Sequence, residues 1–394
     1  MNNGMKQSGE QKVKQINPIL PPATIGILGG GQLGRMIALS GRQMGYRIVT
    51  LDPTPDSPCG QVADRQIVAP FDDVDGARQL AQAADVLTYE FENISSEVAR
   101  ELEQSSFLPQ GYALLHTTQN RLREKEAVMK AGVPVAPFRS VRTVQDLEQA
   151  IEDLGLPAVL KTAEGGYDGK GQYVLRDRDD VHRAAETVAQ NGLIWVLEQF
   201  VPFVKELSII VARNLRGEIA TFPVAENIHH NNILHLSIAP ARVEQEVVEE
   251  AKKVARRLAH YFGLVGLLAI ELFLLPDGRL VVNELAPRPH NSGHYTQEAC
   301  RTSQFEQHVR AVCNLPLGDT TLIAPTVMVN ILGQHLADVI RMLPSLDPSF
   351  KLHLYGKKEA KPGRKMGHLN VVADHREALE KIKALKIWNM EGIQ

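Results

Sequence analysis

The stretch AIELFLLPDGRLVVNELAPRP, residues 269–289, holds two apolar runs joined at Asp277-Gly278. An Asp-Gly pair favours a two-residue type I′ hairpin turn, whose central positions both need positive φ. With that pair at the centre, Leu275 faces Leu280, Phe273 faces Val282 and Glu271 faces Glu284. Two carboxylates then oppose each other on one ladder, which is unfavourable, and more so among apolar neighbours. A divalent cation relieves the repulsion. Oxygen-only ligands suit Mg²⁺, which keeps several waters and needs only one or two protein carboxylates. The alternative is a solvent-exposed pair with no metal, and a longer turn would shift the register and part the two glutamates.

Upstream, a strand ending in Lys161 runs into EGGYDGKGQ, residues 164–172. Gly165, Gly166, Gly169 and Gly171 make a loop whose N–H groups can wrap a polyphosphate, with Lys161 and Lys170 supplying positive charge. It is not a GxxxxGK[ST] loop, and a solvated surface loop is the alternative. Next comes EQFVPFVKELS, with Glu198 and Glu206 on either side of an apolar turn. Acidic groups beside such a patch can receive adenine and ribose, with the backbone near Phe200 and Val201 along the base, or the segment is a plain strand edge. IHHNNILH (His229, His230, His235) lacks a carboxylate or cysteine to complete a zinc set. Lys357, Lys358, Arg364 and Lys365 gather around Pro362-Gly363, either as solvated charge or as a phosphate contact.

At the other end, TIGILG (24–29) reads as a buried strand, followed by a helix over 33–44 and strands over 46–52 and 85–91, with helix-compatible sequence over 75–84. That alternation implies a parallel α/β layer with ligands at the carboxyl ends of the strands. Gly29, Gly31 and Gly34 form GxGxxG, and Asp52 ends the next strand. This is dinucleotide-binding spacing, but the same turn can receive any phosphate or carboxylate, or simply pack tightly, and nothing downstream supplies hydride-transfer chemistry.

The 394 residues carry 43 Lys+Arg against 46 Asp+Glu, a net charge of −3, with 44% hydrophobic and 23% charged residues. That balance disfavours disorder, coiled coil and a broadly basic nucleic-acid binder. Cys59, Cys300 and Cys313 form no CxxC and read as reduced thiols. Residues 1–22 show no hydrophobic signal core and read as a flexible extension; the apolar run 262–275 is too short to span a bilayer, so a soluble protein is expected. Pattern changes divide the rest into 23–116 (α/β), 117–316 (α+β, with a long helix over 246–262) and a small C-terminal domain, 317–394.

A glycine-rich loop after a lysine-ending strand, an acidic segment and paired carboxylates, in that order, resemble the ATP-grasp superfamily. GGGQLGRM (29–36), LTYEFEN (87–93), GGYDGKGQ (165–172), NELAPRPHNSGH (283–294) and GRKMGH (363–368) resemble one family in it, the N5-carboxyaminoimidazole ribonucleotide synthetases. The resemblance implies a Rossmann-like N-terminal domain, a central ATP-grasp domain and a small C-terminal domain. It implies a ligase of purine biosynthesis that carboxylates 5-aminoimidazole ribonucleotide with bicarbonate and ATP through carboxyphosphate, in a cytoplasmic homodimer that passes its product to the mutase of the next step. By motif position, ATP falls to Arg121, Lys161, the loop from Gly166 through Tyr167, Asp168, Gly169, Lys170 and Gly171 to Gln172, the run Glu198, Gln199, Phe200 and Val201, and Glu206, His229, Asn283 and Glu284. Mg²⁺ falls to Glu271 and Glu284. The ribonucleotide falls to Gln32, Leu33, Glu90, Asn291, Ser292, Lys357 and Arg364, and the chemistry to Tyr167, Asp168, Lys170 and Arg288. Many ATP-grasp enzymes carry a metal-binding Asn where Ala286 stands here, and alternation puts Asn283 on the opposite face from Glu284. Another ATP-grasp ligase, formate-dependent or biotin-dependent, is the runner-up reading.

Overall fold

The computed structural model describes residues 17–166 and 171–393. The N-terminal layer is β1 (Thr24–Leu28), α1 (Gln32–Gln43), β2 (Arg47–Leu51), β3 (Arg65–Ile67), α2 (Val74–Gln82) and β4 (Val86–Tyr89). Its strands are all parallel, in the order β3-β2-β1-β4. Strands buried on both faces explain the continuous apolar runs that mark them in the sequence. Helices α3 (Ser96–Ser105) and α4 (Ala113–Thr118) lead to α5 (Arg121–Lys130), where Asn120 caps the helix by accepting from Leu122 N at 3.0 Å and Arg123 N at 3.1 Å.

The next unit is β5 (Phe138–Val141), α6 (Val144–Leu154), β6 (Ala158–Thr162), β7 (Gln172–Leu175), α7 (Arg178–Asn191) and β8 (Trp195–Gln199), with sheet order β5-β8-β6-β7. Ala158, Leu160, Leu175, Trp195 and Leu197 pack with α6 and α7. By period-two alternation, Val159, Lys161, Val174 and Glu198 take the other face, where they line the main cleft.

A second sheet is built from β9 (Lys205–Arg213), β10 (Ile219–Thr221), β11 (Ala225–His230), β12 (Ile233–Ala239), β13 (Gly266–Leu274) and β14 (Leu280–Ala286), with α8 (Gln245–Tyr261) between β12 and β13. Leu207, Ile209, Ile270 and Leu272 pack on Val247, Ala251, Val254 and Leu258 of α8. The intervening residues, Glu206, Glu271 and Phe273, face the cleft. After α9 (Thr296–Ala299) and α10 (Gln304–Val312) come β15 (Thr326–Leu332), α11 (Leu336–Met342), β16 (Phe350–Leu354), β17 (Lys365–Val372) and α12 (His375–Ala384). These last strands extend the second sheet, because β15 pairs with β12, so the C-terminal segment continues the layer rather than packing a sheet of its own upon it.

The β13–β14 hairpin differs from its sequence reading in its turn. Leu275 N donates to Arg279 O at 2.9 Å across a three-residue loop, with Gly278 alone at positive φ, +83°. Pro276 follows Leu275, and a type I turn starting with Pro and closed by a left-handed Gly is the favoured three-residue loop. Leu272 therefore faces Val282 and Phe273 faces Val281. The register then shifts by one at Asn283, and Glu271 still faces Glu284. The two-residue turn lies instead at Asn231-Asn232, with φ of 51° and 61°, between the paired His230 and Ile233.

Candidate active site

A cleft of about 610 Å³ opens between the two sheets of the central region and reaches the N-terminal layer. Its floor on the second sheet is acidic. Glu271 and Glu284 are directly paired, and burial together with Glu284 pushes the Glu271 carboxyl up to about 7. The bulge at Asn283 turns that side chain onto the carboxylate face, correcting the expectation from simple alternation: Nδ2 reaches Glu271 Oε2 at 3.4 Å, while Oδ1 is buried without a hydrogen-bond partner. Two carboxylates and an orphaned amide oxygen form an all-oxygen donor set that fits Mg²⁺. Among the described residues no cluster of three or more His, Cys, Asp or Glu offers another metal site, including around His229, His230 and His235. His229 Nδ1 instead lies 3.0 Å from Glu206 Oε2. Burial opposes its protonation, but Glu206 prevails and raises its pKa.

The opposite wall is cationic. Arg121, the first residue of α5, reaches Glu284 at 3.2 Å. Lys161 Nζ donates to Glu198 Oε2 at 3.0 Å, and Lys125 Nζ lies 3.2 Å from Glu198 Oε1. Burial alone would raise the Glu198 pKa, but the two lysines hold it down at about 2. Glu198 thus spends its carboxylate on lysines rather than presenting it to a base. Similarly, Phe200 N donates to Pro157 O at 3.1 Å and Gln199 N to Pro137 O at 2.9 Å. An aromatic wall remains for a flat ring: Phe203 and Phe273 stack with centroids 4.5 Å apart, beside Phe200 and Val201.

At the far end, Glu92 of the N-terminal layer grips Arg288 in a bidentate pair. Asn291 lines the same end with both amide atoms buried and unpartnered, and Lys365 lies close by.

The structure therefore gathers Arg121, Lys161, Gly166, Gln172, Glu198 to Val201, Glu206, His229, Glu271, Asn283, Glu284, Arg288 and Asn291 into one cleft. Tyr167, Asp168, Gly169 and Lys170 lie outside the described residues. Other residues assigned from sequence make contacts within the chain. The GxGxxG turn meets the chain's own carboxylates: Gly34 N donates to Glu90 Oε2 at 2.6 Å, Gly31 N to Glu90 Oε1, and Gly30 N to Asp52 Oδ2 at 2.8 Å. Glu90 neutralises the α1 N-terminus, so of the alternatives left open for this turn, a carboxylate from within the chain occupies it. Leu33 packs in the core, Ser292 is buried against His290 Nδ1, and Gln32 and Gly171 are not on the cleft wall. Lys357 donates to Lys365 O at 2.8 Å and Arg364 to Glu359 O at 3.0 Å, both outside the cleft wall.

Lys125, Glu124 and Glu92 were not singled out as site residues from sequence, and Lys365 was read there only as solvated charge or a phosphate contact. Glu124 is buried, accepts from Leu285 N at 3.2 Å, and is pushed up to about 8 by burial and by Glu284. The available signal was the spacing: Arg121, Glu124 and Lys125 lie three and four residues apart, on one face of a helix with few apolar residues.

Comparison with known proteins agrees with this geometry. Residues 22–117 match the ribonucleotide synthetase preATP-grasp domain, 126–305 the ATP-grasp domain, and 326–382 the phosphoribosylaminoimidazole carboxylase C-terminal domain. The N5-carboxyaminoimidazole ribonucleotide synthase of Bacillus subtilis is 54% identical over 97% of this chain and 99% of its own length. A crystal structure of an N5-carboxyaminoimidazole ribonucleotide synthetase in complex with ADP superposes with a TM-score of 0.92 at 56% identity, covering 94% of this chain and 98% of that one. The Aspergillus clavatus enzyme, in complex with ADP and 5-aminoimidazole ribonucleotide, gives 0.85 at 34% identity, over 92% and 97%. With more than half its residues shared over nearly its whole length, and an ATP-grasp cleft in place, the chain belongs to the N5-carboxyaminoimidazole ribonucleotide synthase family.

Proposed function

We infer that this chain carries out the family's ATP-dependent carboxylation of 5-aminoimidazole ribonucleotide, in purine biosynthesis, by way of carboxyphosphate. The observation that carries the reading is the single cleft in which Arg121 and Lys161 face Glu271, Asn283 and Glu284, with Arg288 and Asn291 at one end. Bicarbonate is a poor electrophile because its carbon bears no good leaving group. Its oxygen attacks the γ-phosphorus, the bond to ADP breaks, and the carbon acquires phosphate as leaving group. The exocyclic amine then attacks that carbon; phosphate departs and takes up the amine's proton.

Arg121 and Lys161 hold phosphate oxygens, the Phe203–Phe273 wall takes the adenine, and Glu206 takes the ribose. Glu271, Glu284 and Asn283 would hold Mg²⁺, which supplies positive charge against the transferring phosphoryl oxygens. Arg288, Asn291 and Lys365 take the ribonucleotide, and motif position alone assigns the chemistry to Tyr167, Asp168 and Lys170. Family membership alone supports a cytoplasmic homodimer that hands its product to a mutase; among the described residues no helix is long and apolar enough to cross a membrane.

Coupled measurement of ADP formation tests the reading. ATP cleavage rises only when bicarbonate and aminoimidazole ribonucleotide are both present; stimulation by formate or biotin in their place contradicts it.

A further inference from the structure

Lys125 is the most thoroughly buried charged residue of the site region, 1% exposed, against 3% for Glu198 and 9% for Lys161. It sits on α5, four residues after Arg121, and does not line the cleft. Its ammonium group lies against one oxygen of Glu198, 3.2 Å away, while Lys161 takes the other at 3.0 Å. One carboxylate is thus shared between a lysine that faces the cleft and a lysine that stands behind it.

We propose that Lys125 is a positioning residue for ATP: by taking one oxygen of Glu198, it keeps Lys161 aimed at the cleft and less tightly paired, so that the Lys161 ammonium turns to phosphate. Without Lys125, the whole carboxylate falls to Lys161. A close ion pair in a buried setting would then compete directly with the incoming phosphate for the same ammonium. Lys125 touches no substrate and acts only through Glu198. The inference rests on the reading of Lys161 as a phosphate contact and adds what tunes it.

The test is calorimetric titration of the full chain with ADP and Mg²⁺, alongside steady-state kinetics. Lys125→Met is expected to weaken ADP binding and raise the KM for ATP by about 10-fold or more, with kcat and the KM for ribonucleotide much less affected. In a Glu198→Gln background the same Lys125→Met change is expected to lose most of its effect on ADP binding, because the shared carboxylate is gone. Read against Glu198→Gln alone, that double variant shows whether Lys125 acts through the shared carboxylate even if Lys125→Met by itself does not fold. Wild-type ADP affinity in Lys125→Met, together with loss in Lys161→Met, overturns the inference while leaving the site reading intact. An undiminished effect of Lys125→Met in the Glu198→Gln background also overturns it. Unchanged affinity in Lys161→Met removes the site reading and the inference with it.

Discussion

Glu284 is held between Arg121, 3.2 Å away, and Glu271, its direct neighbour across the ladder. The like-charge pairing costs stability that a purely structural strand pair would not retain, which is why a cation-binding role explains it better than chance. Glu284→Gln is expected to cut Mg²⁺-dependent turnover by at least about 100-fold, while the melting temperature stays level or rises, because the repulsion is relieved. Normal turnover in that variant would remove Glu284 from the metal site. Arg288 is a second case, since its two-pronged grip on Glu92 needs a planar guanidinium. Arg288→Lys should raise the KM for the ribonucleotide by about 10-fold and leave that for ATP nearly untouched; equal changes in both would contradict the assignment. The facing of Glu271 and Glu284 was legible in sequence from an apolar hairpin alone. The capping of α1 by Glu90 was not, because no local pattern ties a carboxylate at 90 to amides at 31 and 34.

Helix α5 carries three residues of the site and is anchored by one cap. Asn120 accepts from two backbone amides and donates to Glu164 Oε1 at 2.9 Å, so it also ties the helix to the start of the glycine loop. Asn120→Ala should cost about 1 kcal/mol in denaturant unfolding and raise the KM for ATP; a loss of stability with unchanged KM would mean that the cap is structural only. The segment NRLREKEAVMK is dominated by charged residues, yet Glu124 and Lys125 are among its most buried residues. Periodicity locates apolar faces, and here the buried face is ionic, visible only once β8 and β14 are packed against it. Hairpin β13–β14 teaches the complementary lesson. A longer turn and a bulge at Asn283 each shift the register by one, and their effects cancel at the glutamates. The element was legible, its turn type was not, and the same bulge delivers Asn283 to the site.

Across the whole molecule, the five motifs fix the order of the domains, but not the continuity of the C-terminal strands with the central sheet, since pairing between β12 and β15 leaves no local signature. The outer C-terminal strands carry a histidine stack: His294 stacks on His368 of β17, and His368 on His353 of β16, with ring centroids 4.5 Å apart in each pair. Burial drives His294 and His368 well below the usual histidine range, His308 to about 3 and His235 to about 4. The unfolded chain takes up these protons near pH 6.5 whereas the folded chain does not, so stability is full above roughly pH 6.5 and falls as pH drops below it towards the folded values. Glu198 acts lower: its stabilisation is full above about 4.5 and is lost as pH falls towards 2. Lys161 offsets part of it, because burial and neighbouring Lys125 depress its own pKa. Glu271 and Glu124 oppose this trend, because their raised folded values, about 7 and about 8, make them stabilise towards acid; with both changed to Gln, melting temperatures between pH 8 and 5 should decline with acid, and a flat profile there would contradict the burial of the histidine rings as neutral groups. The central claim, that carbon is activated by phosphoryl transfer to bicarbonate, is tested most directly by following oxygen. In turnover with ¹⁸O-labelled bicarbonate, the released phosphate should carry a single labelled oxygen; phosphate without label would show that bicarbonate never attacked the γ-phosphorus.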